Sequence, residues 1–150
     1  MDIDLNKIII TSGFFNPLHV GHLNLMREAK KLGDFLIVIL NNDEQVKMKG
    51  SVPFMSEQER LAIINDLKYV DAVFLSIDRE SVPIPKSLEF IAQKYKGELY
   101  FAKGGDRNIN NIPKEEKKVC EDYHITVVSG VGGGKVQSSS WLLKGVKDKV

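Results

Sequence analysis

Short continuous apolar runs alternate along this chain with longer stretches in which apolar residues recur at helical spacing. The runs fall at 8–10, 35–40, 72–75, 99–102 and 125–128. Runs without polar alternation suit strands covered on both faces, as in a parallel sheet. Between the first two, residues 21–32 place Leu25, Ala29 and Leu32 on one helical face and Arg27, Lys30 and Lys31 elsewhere, with Gly33 positioned to stop the helix. Ser56 and Glu59 read as an S-x-x-E capping box ahead of Leu61, Ile64 and Leu67. Further helices are expected at 86–95, 113–122 and 138–147, with Pro85 and Pro113 placed to open two of them. Strand and helix in alternation predict an α/β fold built on a doubly wound parallel sheet. Irregular backbone is expected at 43–55, 77–85, 104–112 and 130–137. Ligands of open α/β sheets bind beyond the carboxyl ends of the strands, which directs attention to 12–22, 41–55, 103–112 and 130–140.

Composition narrows the partners. At 150 residues and 43% hydrophobic, residues 1–150 fit one domain with a real core. Lys and Arg number 21 against 20 Asp and Glu, a net charge of +1. That balance argues against a broad nucleic-acid-binding face and leaves room only for a local basic cluster. The apolar runs at 7–11 and 35–40 are too short to cross a bilayer, and Met1-Asp2-Ile3-Asp4 is acidic where a secretory leader is basic. The single cysteine, Cys120, excludes an internal disulfide and reads as a small buried apolar residue. The expectation is a cytoplasmic protein that binds neither nucleic acid nor membrane.

The chemistry concentrates after the first run, in Thr11-Ser-Gly-Phe-Phe-Asn-Pro-Leu-His19-Val-Gly-His22. Two histidines three apart straddle a loop-to-helix junction, which puts both imidazoles on one side of the first turn. Gly21 removes a side chain where something approaches the backbone. The free N–H groups and positive end of the following helix favour an anion, and imidazoles there can donate to phosphate oxygens without a metal. The competing reading is that His19 and His22 merely cap a helix. A zinc pair lacks a third ligand, since His124 opens a distant strand; no metal ligands are assigned. Gly-rich 130–134 before Lys135 is not a P-loop, because Ser129 and Val136 stand where glycine and Ser/Thr belong. No G-x-G-x-x-G follows the first strand, which disfavours a dinucleotide-binding dehydrogenase.

Gly13-Phe-Phe-Asn-Pro-Leu-His19-Val-Gly-His22 resembles the G-x-F-[DN]-x-x-H-x-G-H signature of the HxGH nucleotidyltransferases, the cytidylyltransferase-like superfamily. Leu32-Gly33-Asp34, Asn42-Asp43-Glu44, Lys49-Gly50, Glu59-Arg60 and Tyr69-Val70-Asp71 follow in the family's order. Lys103-Gly104-Gly105-Asp106 is similar to the K-G-G-D of the heptose-phosphate adenylyltransferase domain, and Ser138, Ser139 and Ser140 stand where the family opens its last helix. The resemblance covers about residues 7–145. It implies a Rossmann-like five-stranded parallel sheet and transfer of a nucleoside monophosphate from ATP or CTP to a small phosphorylated sugar or alcohol, with release of pyrophosphate. It also implies Mg²⁺ carried on the nucleotide phosphates, and a homodimer.

The same resemblance assigns roles. His19, His22 and Lys49 are implied as catalytic, Lys49 on a flexible loop. Ser12, Gly13, Phe14, Phe15, Asn16, Gly21, Lys103, Gly104, Asp106, Ser138, Ser139 and Ser140 join the histidines in holding nucleotide. Asn42, Asp43, Arg60, Arg107 and Lys135 are implied to hold acceptor or phosphate. Blander readings stand beside some of these: Lys49 as one more solvated lysine, Arg60 as a surface helix residue, Asp106 as a turn former. Asn16 replaces the aspartate usual in the nearest cytidylyltransferase-like groups, although F-N-P also occurs in nicotinate-mononucleotide adenylyltransferase-like members. The last block, Gly133-Gly-Lys135-Val-Gln-Ser138, departs from the R-T-x-G-[IV]-S-T of glycerol-phosphate cytidylyltransferases, and with the K-G-G-D block it tilts the reading toward ATP. A nucleotide-binding module without turnover is the alternative of another class.

Overall fold

The computed structural model describes residues 6–105 and 107–133. The apolar runs form strands β1 (Lys7–Gly13), β2 (Phe35–Leu40), β3 (Ala72–Leu75), β4 (Glu98–Ala102) and β5 (Thr126–Val128). The helices are α1 (Val20–Lys31), α2 (Asp43–Met48), α3 (Glu57–Asn65), α4 (Pro85–Lys94) and α5 (Lys114–Asp122). The strands make one sheet in the order β3-β2-β1-β4-β5, every ladder parallel. The chain therefore winds outward from β1 to β3, then crosses back to lay β4 on the other side of β1. Strand order reverses between β1 and β4, the position where sheets of this kind open a binding crevice.

Both faces of the sheet are covered, as the continuous apolar runs require. Ile8, Ile10, Ile37, Ile39 and Phe101 pack on Leu88 and Ile91 of α4 and on Val119 and Cys120 of α5. Ile9, Leu36, Val38, Leu40 and Ala102 face Met26 and Ala29 of α1 and Ile64 of α3. The sheet thus separates an α1–α3 side from an α4–α5 side.

Several local expectations change. In α1, Met26 and Ala29 are the buried residues, while Leu32 is the exposed C-cap. Gly33 follows the helix end, yet a close approach explains it: a Cβ there would lie 2.8 Å from the Lys7 carbonyl oxygen. Ser56 does cap α3, its hydroxyl accepting the Glu59 N–H at 3.2 Å. Segment 43–55, expected to be irregular, contains the six-residue helix α2, whose reciprocal box joins Asn42 and Gln45. A helix that short shows no periodicity, so only its capping pair betrays it. Pro85 is the first residue of α4 and Pro113 the cap before α5. The helix expected at 138–147 lies outside the described residues. No helix among the described residues is long and apolar enough to cross a membrane.

Candidate active site

His19 and His22 do cap a helix, and the manner of capping fixes their chemistry. The Gly21 N–H donates to His19 Nδ1 at 3.0 Å, and the His19 N–H donates to His22 Nδ1 at 3.1 Å. An Nδ1 that accepts carries no proton, so each neutral ring holds its proton on Nε2. The rings stack with centroids 3.7 Å apart. Capping and anion binding are therefore compatible: Nδ1 serves the backbone, and Nε2–H is the donor form presented beside the N-terminus of α1. Burial, then the neighbouring His19 and Lys49 charges, lower the His22 pKa to about 3. His22 is accordingly neutral at physiological pH.

The loop from β1 to α1 is shaped by Phe15, which is buried at φ +48°, a left-handed conformation that costs a bulky residue about 1–3 kcal/mol. Its ring lies edge-on to His22, centroids 4.7 Å apart, and fills the space a Cβ on Gly13 would need. Gly13 and Phe15 thus act by shape, holding the histidine stack from below.

Lys49 enters from α2. It is the C-cap residue, with Gly50 beyond it at φ +90°. The Gly50 N–H reaches the Lys47 carbonyl and the Ser51 N–H the Val46 carbonyl, the paired bonds of a Schellman motif. Lys49 therefore stands at the capped end of α2, where the resemblance implied a loop position. Its ammonium lies 4.2 Å from the Phe14 ring centroid, and its charge is felt by His22.

Three residues expected to touch ligand are engaged in building this arrangement. Asn16 is 3% exposed. Its amide donates to the Val52 carbonyl at 2.8 Å and accepts the Phe54 N–H at 2.6 Å, pinning the segment after α2 to the β1 loop. Asn42 is the buried N-cap of α2 and donates to the Ser76 and Asp78 carbonyls. Arg60 is 1% exposed. Its guanidinium donates to the Met55, Phe14 and Asn41 carbonyls and to Asp43 Oδ1 at 2.6 Å. Arg60 is thus a brace behind the site, with Asp43 as its counter-ion, and not a surface residue. A neutral amide explains the departure at position 16. Asn16→Asp removes the donor to Val52 and sets a carboxylate against a carbonyl, so kcat should fall about tenfold or more with the nucleotide KM little changed. Steady-state kinetics of that variant test the pinning.

Lys103 follows β4 on the far side of β1. Its ammonium lies 4.4 Å from the Phe101 ring centroid, which places it on the α4–α5 side of the sheet, away from Phe15 and the histidines. Burial lowers its pKa, and the attraction of Glu116 opposes that effect. Ser12, half-buried, continues the alternation of Ile8 and Ile10 toward the same side. Gly104 passes close to the loop after β5, where a Cβ would sit 3.4 Å from the Val131 carbonyl. Arg107 is exposed and donates to the Asn111 carbonyl. Asp106, Lys135, Ser138, Ser139 and Ser140 lie outside the described residues.

Residues 10–140 match the family model described as cytidylyltransferase-like. The chain belongs to the cytidylyltransferase-like family. This cytidylyltransferase-like chain is 34% identical over 129 residues to the bifunctional protein HldE of Koribacter versatilis, covering 85% of itself but only 25% of that relative. It is 36% identical over 112 residues to the FAD synthase of Thermococcus sibiricus, covering 73% of itself and 71% of the relative. Among solved structures, the lipopolysaccharide core biosynthesis protein of Thermoplasma volcanium superposes with a TM-score of 0.64 at 28% identity, over 84% of this chain and 94% of that one. The relatives are nucleotidyltransferases, and the solved structure shares the fold of this chain.

Proposed function

We propose that the protein transfers a nucleoside monophosphate, AMP by preference, from a nucleoside triphosphate to a small phosphorylated sugar or alcohol. The carrying observation is the stacked His19–His22 pair, with both Nδ1 atoms tied to backbone at the N-terminus of α1 and the Lys49 ammonium beside it. In the reaction, an oxygen of the acceptor phosphate forms a bond to the α-phosphorus. The bond from that phosphorus to the bridging oxygen breaks, and its electron pair leaves with pyrophosphate. No proton need move, so the task is to position two anions and to stabilise charge as it redistributes. Nε2–H groups of His19 and His22 donate to the α- and β-phosphate oxygens. Lys49 neutralises charge that grows on the reacting phosphoryl group. Mg²⁺ arrives on the triphosphate as part of the substrate.

Similarity to HldE and to an FAD synthase supports adenylate over cytidylate, because FAD contains AMP joined to a phosphate ester. The test is pyrophosphate release with ATP, CTP, GTP and UTP, each against a panel of sugar and alcohol phosphates. Release with ATP and one class of acceptor is expected. Preference for CTP would overturn the nucleotide assignment, and nucleotide binding without release from any pair would leave a binding module.

A further inference from the structure

Glu116 is not explained by the triphosphate site. It belongs to the first turn of α5, in a lysine- and glutamate-rich segment, yet it is 4% exposed. The reason is its register: Val119 and Cys120, three and four residues on, pack into the core on the same stripe. One carboxylate oxygen, Oε2, accepts the Ile84 N–H at 3.1 Å. Together with Asp78, whose oxygens accept the Lys86 and Ser87 N–H groups, it closes the N-terminus of α4. The other oxygen, Oε1, is buried and has no hydrogen-bond partner among the described residues. Capping needs only one acceptor, and an unsatisfied buried carboxylate oxygen is costly enough to require a reason.

Its surroundings supply one. Burial raises the Glu116 pKa, and the charges of Lys103 and, more weakly, Arg107 act against that rise to favour the carboxylate. Lys103 follows β4 beside Phe101, and Glu116 opens α5 on the stripe of Val119 and Cys120, so both belong to the α4–α5 side beyond the carboxyl end of β4, beside the point where strand order reverses. A ligand suited to this place brings negative charge for Lys103 and Arg107 and a hydrogen-bond donor for Oε1. A phosphate ester with a hydroxyl on its carbon skeleton carries both.

We propose that Glu116 is a specificity-determining residue for the acceptor: Oε1 accepts a hydrogen bond from a hydroxyl of a phosphorylated polyol whose phosphate faces Lys103. This rests on the transfer reading above and narrows its acceptor to a hydroxylated phosphate ester. It also moves Lys103 from the nucleotide to the acceptor.

Glu116→Gln is the informative variant. The glutamine carbonyl can keep the Ile84 N–H while its NH₂ occupies the position of Oε1, so the cap survives and the acceptor of the hydrogen bond becomes a donor. The probes are ribitol 5-phosphate and pentyl phosphate, its counterpart without hydroxyls, titrated calorimetrically against protein holding a non-hydrolysable ATP analogue. The native protein should bind ribitol 5-phosphate about tenfold or more tightly than pentyl phosphate, and E116Q should lose most of that ratio. A ratio near one in the native protein, or an unchanged ratio in E116Q, overturns the proposal; the native measurement decides even if the variant fails to fold. Sensitivity of E116Q to 2′,3′-dideoxy-ATP in place of lost polyol selectivity would assign Oε1 to the nucleotide ribose and equally overturn it. Pyrophosphate assays separate the two readings. Hydroxyl selectivity without release in any pair leaves the subsite and removes the transfer; release with selectivity intact in E116Q does the reverse.

Discussion

Replacing His22 with glutamine should lower turnover about 10²–10³-fold with little change in melting temperature, because one donor to the reacting phosphate is lost while the cap is kept. His22 Nδ1 accepts the His19 N–H, a bond that glutamine at the third helical position makes naturally. His22→Ala also abolishes turnover but removes the cap as well, so glutamine separates chemistry from folding. The nucleotide KM should rise much less than kcat falls. The pH behaviour follows from burial. The folded ring takes a proton only near pH 3, whereas the unfolded ring does so near 6.5. Between those values the unfolded chain binds the extra proton, so His22 makes the folded protein less stable as pH falls through this window. His22→Gln should therefore soften the acid loss of stability in urea titrations at pH 4 against pH 7. A kcat/KM profile with an ionisation near 6.5 that vanishes in the variant would contradict the neutral ring.

Arg60→Met should destabilise the protein by about 3–5 kcal/mol, since a fully buried guanidinium that satisfies several acceptors at once is removed. Here the losses compound: the Phe14, Asn41 and Met55 carbonyls and Asp43 all give up their donor. The melting temperature should drop on the order of 10 °C. Such protein as remains folded should bind nucleotide weakly, because Phe14 and the segment after α2 are no longer tied to one point. Differential scanning calorimetry provides the check. A variant with native melting temperature and no activity would instead place Arg60 against the substrate.

The two variants mark the limit of what the sequence shows. The strands were legible because each is a continuous apolar run that both layers of helices cover. The histidine pair was legible because a local spacing on a helix start determines its geometry. Arg60 was not, since burial of a charge depends on carbonyls up to 46 residues away, and charge on a helix otherwise reads as solvated or ligand-binding. The structural bonds of Asn16 and Asn42 were hidden for the same reason: an amide that serves distant backbone looks, along the chain, like one that serves a ligand. Glu116 was hidden within Lys-Glu-Glu-Lys-Lys, although its spacing to Val119 and Cys120 carried a signal. Phe15 in a left-handed conformation contradicts its own local preference, and only the packing of Gly13 and His22 around it accounts for that.

The place of β1 in the sheet bears on how this molecule loosens. It is flanked by β2 and β4, whereas β3 and β5 form the edges. Amide hydrogens of a central strand exchange with solvent only when the whole domain opens, while edge strands exchange through smaller, cheaper openings. The histidines hang from the persistent centre. Lys49 hangs from α2, which Asn42 and Gln45 strap to the segment following the edge strand β3. Partial opening at that edge detaches the lysine and leaves the histidine cradle assembled, so mild denaturant should silence the protein before it releases nucleotide.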